Sequence, residues 1–217
     1  MKLLIAALFL VHISLSQNVS QTDGQAYSIP FASKGNTIEL TVANTSAVTA
    51  AQVSVEATGI PSWVSYNQKT VTIDRLNAKS EQSATFSFAI DKMAAVNKEE
   101  TLTFMIKSKS GESWTKGIKI KVAPPEKFEL FQNYPNPFNP TTTICYQLTH
   151  DSKVQLKVYN LLGQEVMILV DGEKQAGYHQ EVFGATRFAS GMYIYRIVYT
   201  NDAGKQSTDK KRMLVMK

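Results

Sequence analysis

Apolar residues fall at every second position in run after run of this chain, and that period decides what it folds into. Ile38, Leu40 and Val42 alternate with Thr37, Glu39 and Thr41. Val53 and Val55 repeat the pattern, as do Val71 and Ile73. Phe86, Phe88 and Ile90 follow, then Leu102, Phe104 and Ile106, and finally Ile118, Ile120 and Val122. A strand sends successive side chains to opposite faces, so such runs of about six residues define half-buried antiparallel strands. Helical spacing is weak throughout, with room for one turn at most in 93–100. About seven strands within ~100 residues predict an immunoglobulin-like sandwich.

Proline divides the chain. Five of its seven prolines lie between Pro124 and Pro140. Pro124-Pro125 cannot donate to a sheet and favours extended backbone, which marks 124–127 as a linker. A domain boundary is therefore expected between Ala123 and Phe128, with a passenger sandwich at 17–123 and a second domain at 128–217. That second part alternates as well. Ile144, Tyr146 and Leu148 share one face, as do Val154, Leu156 and Val158. Leu161-Leu162-Gly163-Gln164-Glu165-Val166 reads as a hairpin turn, with Gly163 free to take positive φ. Tyr193, Tyr195, Ile197 and Tyr199 make a further strand, and Met213 to Met216 a last one. The fold class expected is all-β: two tandem immunoglobulin-like sandwiches behind a cleavable signal peptide.

The signal peptide is read from residues 1–16. Lys2 supplies a positive start, Leu3 to Ile13 is apolar but for His12, and Ser14-Leu15-Ser16 offers small residues at a cut after Ser16. The apolar stretch is shorter than the roughly 20 residues that cross a bilayer, and no later segment is apolar enough. No transmembrane segment is expected in the mature chain. The formal net charge of +5 is spread along the sequence without the concentrated basic face of a nucleic-acid binder, so no nucleic-acid partner is expected. Lys210-Lys211-Arg212, the one basic cluster, reads as a solvated turn.

Two resemblances then emerge. Gly59-Ile60-Pro61-Ser62-Trp63-Val64, with the Asn44-Thr45-Ser46 turn, resembles immunoglobulin-like accessory domains found beside bacterial secreted enzymes. Residues 128–217 closely resemble the type A sorting domain of type IX secretion cargo, a family of flagellar hook-cap-like immunoglobulin fold. The likeness rests on Phe128 to Ile144, including Asn133-Tyr134-Pro135-Asn136-Pro137-Phe138-Asn139-Pro140. It rests also on Val158 to Val166, on Ala189-Ser190-Gly191-Met192-Tyr193-Ile194-Tyr195-Arg196, and on the terminal Lys217. Cys145, Gly184 and Phe188 depart from commoner choices without removing a hallmark. The resemblance implies sorting-motif roles for Tyr134, Pro135, Asn136, Pro137, Gly163, Gly191, Tyr193 and Lys217. It implies, as partners, an outer-membrane translocon, its surface peptidase and an anionic lipopolysaccharide anchor, reached through the periplasm.

Catalysis has little support in the residues. His150 and His179 stand apart in the sequence, no H-E-x-x-H or Cys/His cluster exists, and Cys145 is set between strand residues. Glu99-Glu100 would point to opposite faces of a strand, and Asp171-Gly172-Glu173 lacks the repeating oxygens of a calcium loop. No metal, cofactor or enzymatic activity is expected. Trp63, beside Ile60 and Val64, is expected to pack, whereas Trp114 after Gly111-Glu112-Ser113 is the candidate for an exposed ligand contact. An adhesin or carbohydrate-binding passenger is the alternative reading. A flagellar hook-capping protein ranks below it, because a signal peptide does not suit flagellar export.

Overall fold

A computed structural model describes residues 11–12, 26–201 and 204–217. Every regular element among them is a strand, and the chain divides into two compact units, Met1–Ala123 and Pro124–Lys217. The fold is all-β, as the alternation requires. The expected signal peptide at 1–16 lies outside the described residues, apart from Val11–His12.

The N-terminal unit holds β1 (Val11–His12), β2 (Tyr27–Ile29), β3 (Asn36–Asn44), β4 (Ala50–Thr58) and β5 (Val64–Tyr66). It continues with β6 (Thr70–Leu76), β7 (Ser80–Ile90), β8 (Glu99–Lys107) and β9 (Ser113–Val122). One sheet has the order β1-β3-β7-β5 and the other β2-β9-β8-β4-β6. Their pairings are antiparallel except that β2 lies parallel to β9. Register joins the apolar runs: Ile38 stands opposite Phe86, Val55 opposite Ile106 and Leu102 opposite Ile118. All six are buried. The sheets meet where the Phe86 and Phe104 rings approach to 4.9 Å, with Tyr66 edge-on to both. Burying each phenylalanine contributes on the order of 1.5–3 kcal/mol.

A buried polar turn carries the chain from β3 in one sheet to β4 in the other. Asn44 donates from Nδ2 to the carbonyls of Val48 and Leu76, and its Oδ1 accepts from the Ser46 amide and hydroxyl. Each group of this otherwise costly buried amide is satisfied, which fixes the turn against the end of β6.

The C-terminal unit holds β10 (Glu129–Leu130), β11 (Thr141–Leu148), β12 (Ser152–Tyr159) and β13 (Glu165–Lys174). It ends with β14 (Gly177–Gly184), β15 (Gly191–Asn201) and β16 (Gln206–Val215). A three-stranded sheet, β10-β11-β14, faces a four-stranded one, β13-β12-β15-β16. Ile144, Tyr146, Leu148 and Phe183 from the first pack on Val154, Leu156, Val158, Tyr195, Ile197 and Met213 from the second. The last strand starts earlier than its apolar residues indicate. Lys210-Lys211-Arg212 is no turn: these residues lie within β16, opposite Arg196, Tyr195 and Ile194. Pairing along β15 imposes extended backbone on a stretch without apolar alternation of its own.

Candidate functional site

The proline-rich segment that opens the C-terminal unit gathers four of the eight candidate motif residues, Tyr134, Pro135, Asn136 and Pro137. Its anchor is Asn133, only 2% exposed. Its Nδ2 donates to the Pro135 carbonyl at 3.0 Å and to Thr142 Oγ1 at 2.9 Å. Its Oδ1 accepts from Gln132 Nε2 at 2.7 Å, and the same Gln132 amide reaches the Arg212 carbonyl in β16. Tyr195 completes the anchor: its hydroxyl accepts from the Asn133 amide at 2.9 Å and donates to the Phe131 carbonyl at 2.8 Å. Burial pushes the Tyr195 phenol up to about 12, against the opposing effect of the Asn133 amide bond.

From this anchor the segment crosses to the edge of β16. Asn136 Oδ1 accepts from the Leu214 amide at 2.9 Å. Phe138 then pairs in parallel with Val215: its amide donates to the Leu214 carbonyl and its carbonyl accepts from the Met216 amide. The Phe138 ring, 3% exposed, meets Phe183 edge-on at 5.8 Å. An edge strand presents unpaired backbone groups that invite another chain. Here Gln132, Asn136 and Phe138 occupy those groups over 212–216, forming a clasp between the two extremities of the unit. The peptides before Pro135, Pro137 and Pro140 are cis, and Tyr134 stands 81% exposed on the outside of the clasp.

The other motif residues lie apart from the clasp or at its margin. Gly163 (φ 79°) completes the β12–β13 turn. Asn160 braces this turn, with Oδ1 accepting from the Leu162 and Gln164 amides at 3.0 Å each. Leu161 and Leu162 consequently stand 66% and 84% exposed on a fixed loop. Gly191 (φ 147°) opens β15, two residues before buried Tyr193, whose hydroxyl donates to the Ala189 carbonyl. Lys217 donates from Nζ to the Thr186 carbonyl and from its amide to Ser190 Oγ. Tyr193 and Gly191 thus shape the fold, whereas Tyr134 and the two leucines present surface.

Residues weighed for chemistry are dispersed. His179 is half-buried, stacked on Tyr146 at 5.0 Å, with Nε2 2.7 Å from the Gln175 carbonyl. His150 Nδ1 lies 2.6 Å from Thr149 Oγ1. No group of three or more His, Cys, Asp or Glu placed to hold a metal occurs among the described residues. No helix among them is long and apolar enough to cross a membrane. Trp114 shares its strand face with buried Ile118, Ile120 and Val122 and is itself half-buried. Trp63 is also half-buried, its carbonyl held by the Asp91 amide.

Sequence reasoning did not identify Asn133 or Tyr195 as anchors. A polar residue ahead of a proline run, and a tyrosine two residues beyond another in a core strand, were the only traces. Tyr195→Phe is expected to cost about 1–3 kcal/mol in a urea titration, because the Phe131 carbonyl and the Asn133 amide lose a buried partner. The phenol carries its ordinary pKa of about 10 when unfolded and about 12 when folded. Its contribution is therefore intact below pH ~10 and is lost as pH rises from there through about 12. The variant should lose that part of the alkaline decline, followed by circular dichroism.

The C-terminal unit is thus a two-sheet β-sandwich clasped by a proline-rich lead-in that carries four of the eight motif residues. Its residues 132–214 match the family described as "Secretion system C-terminal sorting domain". The resemblance to type IX sorting domains holds over this segment. No curated protein matches the chain. Among solved structures, dimeric latent PorU from Porphyromonas gingivalis is 14% identical with a TM-score of 0.36, aligning 89% of this chain with 19% of that one. The CupB2 chaperone of Pseudomonas aeruginosa is 13% identical, with a TM-score of 0.27 over 87% of this chain and 98% of its own. The YadV chaperone is 11% identical, with a TM-score of 0.33 over 94% and 99%.

Proposed function

We propose that this is a non-enzymatic exported protein whose N-terminal sandwich is the passenger and whose C-terminal sandwich directs its passage across the outer membrane by the type IX pathway. The observation that carries this reading is the match of residues 132–214 to the sorting-domain family. The clasp supports it, since the hallmark prolines and asparagines are built into a self-contained fold that an outer-membrane translocon meets as a folded tag. In this reading the chain crosses the inner membrane on its signal peptide and is recognised in the periplasm. A surface peptidase then removes the tag, with release or attachment to an anionic lipopolysaccharide. Residues 17–123 contain no histidine or cysteine, which favours a structural or binding passenger over an enzyme.

The test is mass spectrometry of the protein's termini in surface, medium and periplasmic fractions, with and without a working type IX translocon. Surface protein beginning near Gln17 and ending before Phe128, with the longer form accumulating in the periplasm when the translocon is lost, is expected. A tail-bearing form that reaches the surface regardless of the translocon would overturn the sorting role.

A further inference from the structure

The outward face of the four-stranded sheet carries a row of like charges. Lys157 of β12 stands directly opposite Arg196 of β15, and Arg196 directly opposite Lys210 of β16. Arg212, one step along the same face of β16, lies opposite Ile194. At a spacing of about 4.8 Å between strands, cations from three strands fall within ~10 Å. Like charges directly opposed across strands are destabilising.

Little within the unit neutralises the row. Glu165 pairs with Lys157 at 3.0 Å, but neither Lys210 nor Arg212 has an ion pair among the described residues. Arg196 is held in place instead: its Nη2 donates to the Tyr159 hydroxyl at 2.9 Å, and its guanidinium lies 5.0 Å from the Tyr159 ring. A cation fixed in this way loses less freedom when it meets a partner. Beside it opens a shallow groove lined by Gln155, Arg196, Val198, Gln206, Ser207 and Thr208, with amide and hydroxyl groups placed for further hydrogen bonds.

We propose that this face docks an acidic protein surface of the export machinery, with Arg196, Lys210 and Arg212 supplying the charge contact. The inference rests on the sorting role proposed above and names the surface through which it acts. Charge complementarity identifies the partner as acidic, and the pattern of the face identifies it as protein. Along β13 the same face carries Glu165, Asp171 and Glu173, opposite Tyr159, Gln155 and Lys153. A uniformly anionic membrane would be repelled along that margin, whereas a protein surface can match both signs. At the end nearer the β12–β13 turn, exposed Leu161, Leu162 and Met192 add the apolar contact that protein interfaces use.

The test uses the full chain in a type IX-competent host that exports the wild type in a translocon-dependent manner. Lys210→Glu with Arg212→Glu changes exposed side chains whose only hydrogen bonds to the fold run through their backbone. The purified variant should melt at or above the wild-type temperature, since the change removes like-charge repulsion. Its exported fraction should fall at least about tenfold, an energetic equivalent of roughly 1.4 kcal/mol, with accumulation in the periplasm. Lys210→Gln with Arg212→Gln, which introduces no new charge, should shift export in the same direction by less. Wild-type export by the folded charge-reversed variant would overturn the inference while leaving the sorting role intact. So would binding of the wild type to phosphatidylglycerol vesicles, lost in the variant, with export unchanged. Loss of translocon dependence in the wild type would instead overturn the sorting role itself.

Discussion

Phe138→Ala is expected to destabilise the C-terminal unit by about 3–5 kcal/mol, the usual loss for an aromatic side chain removed from a core. The ring is 3% exposed and fills the space beside Phe183, so its removal leaves a cavity that rigid strands on both sides close poorly. The loss is a large part of the roughly 5–15 kcal/mol that stabilises a typical domain. The backbone bonds of residue 138 to 214 and 216 survive the substitution in principle. They depend, however, on the ring to hold the segment against β16. Hydrogen exchange resolved by mass spectrometry should therefore show the amides of Leu214 and Met216 losing protection first. Unchanged protection there, together with an unchanged urea midpoint, would mean that the clasp holds without its apolar anchor.

Phe104→Ala should have a comparable effect on the N-terminal unit, again about 3–5 kcal/mol. Phe104 is fully buried, 4.9 Å from Phe86 and 6.2 Å from Tyr66, at the point where the two sheets meet. The chain offers a convenient probe, because its two tryptophans, Trp63 and Trp114, both belong to this unit. Urea unfolding followed by tryptophan emission should shift to a lower midpoint with little change in slope. A midpoint that does not move would show that the facing sheets do not depend on this contact.

The core was legible because it is written in period two. Ile38, Leu40, Val42, Phe86, Phe88, Leu102, Phe104, Ile118 and Ile120 all lie buried where the alternation puts them. The same holds for Ile144, Tyr146, Leu148, Val154, Leu156 and Val158. What escaped was set by partners distant in sequence. Tyr27–Ile29 buries only Ile29, too little for a pattern, and becomes a strand through its parallel pairing with β9. Gln206 to Arg212 is polar on both faces and becomes strand through β15. The half-burial of Trp114 was not legible from its turn, because it follows from the strand face it shares with Ile118 and Ile120. Of the candidate site, the sequence displayed the motif residues but not their division of labour. That Asn136 holds an edge strand depends on a partner 78 residues away.

That separation bears on the order in which the C-terminal unit assembles. Gln132 meets Arg212 across 80 positions, Asn136 meets Leu214 across 78, and Asn133 meets Tyr195 across 62. Closing loops of such length costs entropy before any contact returns it. The β12–β13 and β15–β16 hairpins pair residues 6 to 24 positions apart, and the β11–β14 and β12–β15 ladders residues 29 to 49 apart, so they close at less cost. Loop-closure entropy therefore favours shutting the clasp after the intervening strands are in register. With that order of closure, a receptor that reads the clasped form selects finished molecules over partly folded ones.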